Sequence, residues 1–199
     1  MPEPVCRTCG LPLVRPGLCP SCNNSRPPYQ TMRSWLIFEG PIRHALHTLK
    51  YRRNMALGDA LALHLVEYVR ELDWPVDLVV PVPLGRQRMI ERGYNQVGLV
   101  ARPLAALQGW RYSPRSIARV RETRSQVGLS AAERKENVTD AFSADAARVT
   151  GKNILVMDDV ATTGATLASC ADALLKAGAQ TVYALTLARA LPRHGLQIV

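Results

Sequence analysis

Apolar positions recur along the chain with two different periods, and each change of period marks an element. From Pro41 to Tyr51, and again from Leu57 to Leu72, they return every third or fourth residue, with Leu61, Leu65, Val66 and Val69 on one side of the second stretch; both predict helices. Asp77 to Pro81, DLVVP, is a short apolar run ending in PVP, the pattern of a buried parallel strand entering a loop. Residues 94 to 108 return to helical spacing, and Pro103 within them predicts a kink or break. Ile154 to Asp158 reads as a second buried strand, Thr166 to Ala177 as a helix closed by Gly178, and Thr181 to Leu187 as a third strand. Strand, helix, strand at this spacing predicts a right-handed parallel crossover, and so an α/β fold with a parallel sheet flanked by helices. No internal repeat or low-complexity tract interrupts it.

A length of 199 residues suits one main domain plus a small appendage. The polar, Pro-containing stretch NNSRPPYQ after Cys22 sets the boundary near residue 30, dividing the chain into 1–30 and 31–199. No apolar run approaches the roughly 18 residues of a membrane span, and MPEPVCRTC lacks a basic-then-apolar signal pattern. The expectation is a soluble, cytoplasmic protein.

The appendage carries four of the five cysteines, as Cys6-x2-Cys9 and Cys19-x2-Cys22. A two-residue spacer lets one tight turn aim two thiolates at one ion, and Gly10 supplies the permissive backbone such a turn needs. Disulfides are the alternative; the absence of any secretion signal favours structural zinc. So short a segment, with few large apolar residues, would owe its fold to the metal. Cys170, alone in a helical pattern, is expected to be a buried small apolar residue.

The net charge of +9 is unevenly spread. Between Arg86 and Lys135 eleven basic residues face only Glu91, Glu122 and Glu133, which places a surplus of eight positive charges in that stretch. Of the 25 basic residues only Lys50, Lys135, Lys152 and Lys176 are lysines. Arginine's planar fork suits phosphate oxygens, so an anionic partner is implied, either a small phosphorylated molecule or a nucleic-acid backbone. Genomic base composition accounts for Arg over Lys but not for the clustering.

The densest chemistry lies in ILVMDDVATTGATL, Ile154 to Leu167. Backbone amides of Thr162 to Thr166, at a predicted helix N-terminus, would face a phosphate, with Gly164 allowing close approach and the threonine hydroxyls adding donors. Asp158 and Asp159, at the expected end of a parallel strand, are the candidate catalytic pair: carboxylates fit to accept from sugar hydroxyls and to favour a divalent cation. An ordinary turn would explain the loop, but two adjacent acids ending a buried strand are costly without a partner.

This stretch resembles the 5-phosphoribosyl-1-pyrophosphate (PRPP) motif of type I phosphoribosyltransferases. CRTCGLP at the start, LKY at Leu49 to Tyr51, PVPLGRQRMIERGYNQ at Pro81 to Gln96 and RETRSQVGLSAAERKENVTDAF at Arg121 to Phe142 narrow the resemblance to the ComF family, including its GntX-like members, over nearly the whole chain. The resemblance implies a type I phosphoribosyltransferase core with an N-terminal zinc knuckle on Cys6, Cys9, Cys19 and Cys22. It implies PRPP with Mg²⁺ as ligand, Ala161, Thr162, Thr163, Gly164, Ala165 and Thr166 forming its loop. It also implies a link, in some bacteria, to DNA uptake during natural transformation, with competence proteins and single-stranded DNA as partners. By position, the loop after Pro81 resembles a pyrophosphate-binding loop, with Pro83 and Leu84 at its start, Arg86, Arg88 and Arg92 on the leaving group, and Gly93 and Asn95 shaping the turn. Arg119, Arg121, Arg124 and Gln126, with Arg134, Lys135 and Asn137, fall in a segment of weak periodicity that reads either as a lid carrying phosphate contacts or as a basic nucleic-acid surface. Lys50 and Tyr51 either face the site or close a helix with a favourable charge.

His44 and His47 lack a nearby third ligand and read as solvated or core-satisfied, and Trp35, Trp74 and Trp110 read as packing. Two functions stay open on the sequence: a transferase in which an unidentified acceptor attacks the anomeric carbon and pyrophosphate leaves, or a non-catalytic module that binds PRPP, a nucleotide or single-stranded DNA. Residues 31 to 80 are where an acceptor site is sought.

Overall fold

The computed structural model describes residues 2–121, 131–138 and 140–191. In chain order they form α1 (Pro20–Asn24), β1 (Thr31–Ile37), α2 (Gly40–Arg52), α3 (Met55–Glu71), β2 (Leu78–Pro81), α4 (Arg86–Arg92), α5 (Gly98–Gln108), β3 (Arg111–Tyr112), β4 (Ile117–Arg119), α6 (Ala131–Val138), β5 (Phe142–Ala144), α7 (Ala146–Val149), β6 (Asn153–Ala161), α8 (Ala165–Lys176) and β7 (Thr181–Arg189). The predicted sheet is present: five strands in the order β1-β7-β6-β2-β3, every neighbouring pair parallel. A separate antiparallel pair, β4 with β5, stands apart from it.

The central strand shows why the pattern worked. Ile154 to Met157 are fully buried, because β6 lies between β7 and β2 and is covered on both faces. Side chains alternate across a strand. Accordingly Ile154 and Val156 join the core under α8, β4 and β5, with Leu167, Cys170, Phe142 and Ile117. Leu155 and Met157 join the opposite core under α2, α3 and α5, with Leu46, Leu65 and Leu104. Cys170, in the core under α8, is buried as a small apolar residue, as expected.

Helix ends follow local chemistry. Asn54 caps α3 by accepting from the Leu57 amide at 2.9 Å, and Gly109 (φ 73°) ends α5 in the left-handed region. Three boundaries differ from expectation. β6 continues past Asp158 to Ala161, since β7 extends to Arg189 and pairs with it along the full length. The helix expected from residue 94 starts at Gly98, because the Asn95 side chain engages the Val82 carbonyl and the Val97 amide and holds the preceding turn. β1 is an added edge strand on residues whose pattern gave no strand signal.

α5 also runs unbroken through Pro103. Proline lacks the amide that would bond the Leu99 carbonyl one turn earlier. α3 packs against that carbonyl at Gly58, where an added Cβ would lie 2.6 Å from Leu99 O and 3.0 Å from Leu99 C. Gly58→Ala should therefore destabilise the fold. Alanine gains at most about 1 kcal/mol of helix propensity, while a clash with backbone in a packed interface costs about 1 to 3 kcal/mol or more. The urea midpoint of the variant is expected below that of the parent; an unchanged or higher midpoint would contradict this close approach.

Candidate functional site

The pleat that builds the core also sorts the two carboxylates. On β6 Asp158 falls in the register of Ile154 and Val156, and Asp159 in that of Leu155 and Met157. They are not side by side on one surface, as their adjacency in the sequence suggests; they flank the sheet from opposite faces.

Asp159, 8% exposed, faces α2 and the turn before α5. One of its carboxylate oxygens accepts from Lys50 Nζ and from Gln96 Nε2, each at 2.9 Å. Gln96 Oε1 in turn accepts from Arg92 at 2.9 Å, and the Arg92 guanidinium lies 5.5 Å above the Tyr51 ring. Thus Lys50, Tyr51, Arg92 and Asp159, all singled out from the sequence, meet in one network. Two members were missed. Gln96 lies in the quoted motif, but its role depends on which face Asp159 takes. Tyr94 donates its hydroxyl to the Leu49 carbonyl and accepts from the Arg53 amide, each at 2.7 Å, pinning the end of α2 that carries Lys50.

Asp158 lies on the α8 side, beside Val160 to Leu167. Burial, then the Asp159 charge, raises its pKa from the ordinary 3.8 to about 7, against the lowering effect of the Asp159 amide, Lys50 and Arg119. The loop beyond is built as a helix entrance. Gly164, at φ 80°, is the N-cap of α8, and Thr163 Oγ1 accepts from the Ala165 amide at 3.3 Å. Thr162 and Thr163 are exposed while Ala161 and Gly164 are buried, so Gly164 anchors a loop whose threonines face outward. The amides at the start of this 12-residue helix are the donors expected for an anion.

The arginine-rich loop is partly helical. Pro83 and Leu84 follow β2 without regular structure, α4 begins at Arg86, and Gly93 (φ 71°) ends it. Arg86 and Arg88 are exposed on that helix, whereas Arg92 is half-buried in the network above. Asn95 holds the loop closed by donating to the Val82 carbonyl at 2.8 Å. Of the basic segment, Arg119 is in β4, 5.0 Å from the Phe142 ring, and Arg121 donates to the Asn137 carbonyl in α6 at 3.2 Å. Arg124 and Gln126, with the side chains of Arg134 and Lys135, lie outside the described residues. Beside Lys50, α2 borders an open groove of about 450 Å³, lined by Phe38, Arg43, His44, His47 and Tyr51. Both histidines are exposed there, and His47 lies 4.6 Å from the Tyr51 ring.

The appendage gathers its cysteines as the spacing requires. Sulfur atoms of Cys6, Cys9, Cys19 and Cys22 all lie within 4.8 Å of one another, all four are buried, and no disulfide joins them. Four thiolates about 2.3 Å from a tetrahedral ion stand roughly 3.8 Å apart, and the 3.6 Å between Cys9 and Cys19 sulfurs is close to that. Burial drives the Cys9 thiol up to about 11, whereas at Cys6 hydrogen bonds from neighbouring amides and Cys9 outweigh burial and bring the thiol down to about 7. The cluster can therefore hold a metal ion. Among the described residues no helix is long and apolar enough to cross a membrane.

Comparison with known proteins gives the family. The phosphoribosyl transferase domain family matches residues 49–195. The DNA utilization protein YhgH of Salmonella typhi is 38% identical over 193 residues, spanning 94% of this chain and 85% of that protein. Competence protein F of Haemophilus influenzae is 30% identical over 196 residues, spanning 94% and 85%. Competence protein ComFC of Bacillus subtilis is 28% identical over 202 residues, spanning 93% and 78%. Among solved structures, the chain is similar to the glutamine PRPP amidotransferase of B. subtilis, at 19% identity and a TM-score of 0.48 over 71% of this chain and 30% of that one. The chain belongs to the phosphoribosyl transferase domain family, in its group of ComF-type competence and DNA utilization proteins.

Proposed function

We propose that this protein binds PRPP with Mg²⁺ across the ends of β2 and β6 and transfers its phosphoribosyl group. The observation that carries the reading is the Thr162 to Thr166 loop at the start of α8, directly beyond a strand that carries a carboxylate on each face. In this reading the loop amides hold the 5-phosphate. Asp158 accepts from ribose hydroxyls, and Arg92, preset by Gln96 and Tyr51, holds the pyrophosphate with Arg86. Mg²⁺ supplies neutralisation of pyrophosphate charge. The acceptor's nucleophilic atom bonds to the anomeric carbon as the carbon–oxygen bond to pyrophosphate breaks, the electron pair leaving with the pyrophosphate; fixed cations favour the charge that develops there. The groove beside α2 is the acceptor's place, and its lining of Arg43, His44, His47 and Lys50, with no carboxylate among the described residues, suits a flat neutral or anionic molecule. The cysteine cluster holds structural zinc, and residues 1–30 form a knuckle attached to a transferase-like domain of 31–199. Metal analysis of purified protein is expected to return one zinc per chain.

A second reading is carried by the clustered positive charge and by the names of the relatives, DNA utilization protein and competence protein. Exposed arginines on α4, together with exposed Arg121, would track a single-stranded phosphate backbone. The two readings differ in what each arginine does. Arg92→Ala should lower PRPP affinity by about 1.5 to 3 kcal/mol, the value of a charge-assisted hydrogen bond, and leave DNA binding nearly unchanged. Arg121→Ala with Arg124→Ala should do the reverse, with the slope of log affinity on log salt falling by about 0.7 for each phosphate the variant no longer neutralises. Calorimetry with PRPP and fluorescence anisotropy with an oligonucleotide measure both; equal losses for both ligands in both variants would mean a single shared anion site.

The carboxylates yield a prediction with a sign. Asp158, with a folded pKa near 7 against 3.8, binds a proton in the fold that the unfolded chain has already released between those pH values. Stability from this group therefore falls as pH rises from about 4 to 7. Asp158→Asn should flatten the fall in melting temperature between pH 5 and 8 and abolish PRPP binding. Asp159→Asn should lower the melting temperature at pH 8, because it removes the counter-charge of Lys50. If both variants melt alike across this range, or the Asp158 variant binds PRPP as tightly as the parent, the separate roles are wrong.

A further inference from the structure

The phosphate-facing loop and the cysteine cluster are far apart in sequence and share a wall. Tyr29, 3% exposed, comes from the apparent linker, and its hydroxyl would lie 3.3 Å from a Cβ placed on Gly164, with Met32 Sδ at 3.2 Å. Met32 is bound on its other side to the cluster segment: its amide donates to the Thr8 carbonyl at 2.7 Å, and its carbonyl would stand 2.8 Å from a Cβ on Gly10. Gly10 and Gly164 thus close on opposite sides of one residue.

A second connection runs through Arg189, 2% exposed at the end of β7. Its guanidinium donates to the Cys9 carbonyl at 2.6 Å. In register it faces Ala161, the last residue of β6, and the Ala190 amide bonds the Ala161 carbonyl at 2.9 Å. Among the described residues this guanidinium has no carboxylate partner, and its Nε has no hydrogen-bond partner. A buried cation so placed is costly unless charge nearby compensates it. Four thiolates around one divalent ion carry a net charge of minus two, and they lie directly behind the Cys9 carbonyl.

We propose that the metal-loaded cysteine cluster is the rear support of the phosphate-facing loop, with Tyr29, Met32 and Arg189 as positioning residues that carry metal occupancy into the loop. The ligand class is a pentose phosphate, and that part rests on the PRPP reading above. Loss of the ion would deprive Arg189 of its counter-charge and release the Cys9 carbonyl, loosening the β6–β7 ends and the wall behind Gly164. Linkage is reciprocal: a ligand that the metal helps to bind must in turn retain the metal.

The test uses the full chain loaded with zinc. Hydrogen exchange at amides 161–168, without PRPP, is expected to quicken when a chelator removes the metal, while amides of β2 and of β6 before Ala161 keep their protection. Zinc-loaded Tyr29→Ala is expected to show the same local quickening, and Tyr29→Phe, which retains the ring, to match the parent. Saturating PRPP with Mg²⁺ is expected to raise zinc affinity, read at equilibrium by competition with a chelating dye, by about five-fold or more, and the Tyr29→Ala change to remove that effect. Unchanged exchange at 161–168 in both the stripped protein and Tyr29→Ala overturns the proposal. So does loss of protection throughout the sheet on stripping, which would make the metal a general stabiliser. PRPP that binds by calorimetry without raising zinc affinity overturns it as well. Absence of PRPP binding to the zinc-loaded parent counts against the PRPP reading alone, since the exchange comparison needs no ligand.

Discussion

A strand sends neighbouring side chains to opposite faces, and in β6 that rule acts on two adjacent aspartates. Asp158 must share its face with Ile154 and Val156, and Asp159 with Leu155 and Met157. Everything that meets the site is divided accordingly. Lys50, Gln96, Arg92 and Tyr51 gather on one side because α2 and the turn before α5 pack there, while the loop at the start of α8 and Arg119 lie on the other. A ligand contacting both sides has to cross the strand ends, which is where parallel sheets bind ligands.

The Asp159 side is preorganised. A carboxylate this buried needs its desolvation offset, and a lysine and an amide converge on one oxygen to do so. Tyr94 fixes the end of α2 from the Leu49 carbonyl, so the lysine is delivered by a pinned helix end, and Gln96 passes the orientation on to Arg92. Among the described residues Asp158 accepts from the Asp159 amide at 2.9 Å rather than from a converging pair of side chains; burial and its neighbour's charge raise its pKa to about 7. That contrast favours Asp158 as the group that meets a sugar or a cation.

Much of this is legible in the sequence. The strand-helix-strand unit stands out because its strands are buried on both faces and read as continuous apolar runs, and the paired CxxC spacing reports its own geometry. Other features are not, for physical reasons. TMRSWLI alternates irregularly, since β1 is an edge strand whose partly buried positions mix polar and apolar residues. Tyr29 sits in a stretch with the composition of a linker, and only the fold shows it buried against Gly164. Gln96 carries no charge, so nothing in its local pattern marks it; its importance depends on the pleat register 63 residues away. Arg189 lies beyond the strand predicted to end at Leu187, and only the fold shows it buried and donating to the Cys9 carbonyl.

The arginines divide by the same reasoning. A side chain fixed before the ligand arrives loses less entropy when it binds, and on α4 the half-buried Arg92 is fixed in this way, its guanidinium held by Gln96 and the Tyr51 ring. Arg88 and Arg121 are exposed, where salt screens charges beyond roughly 10 Å. Exposed cations of this kind raise the local concentration of a polyanion and its rate of arrival more than they fix its pose. One pyrophosphate with its magnesium cannot use a surplus of eight positive charges. The held arginine fits a pocket and the screened ones fit a surface, so a phosphoribosyl site and a nucleic-acid-facing exterior place compatible demands on one basic segment.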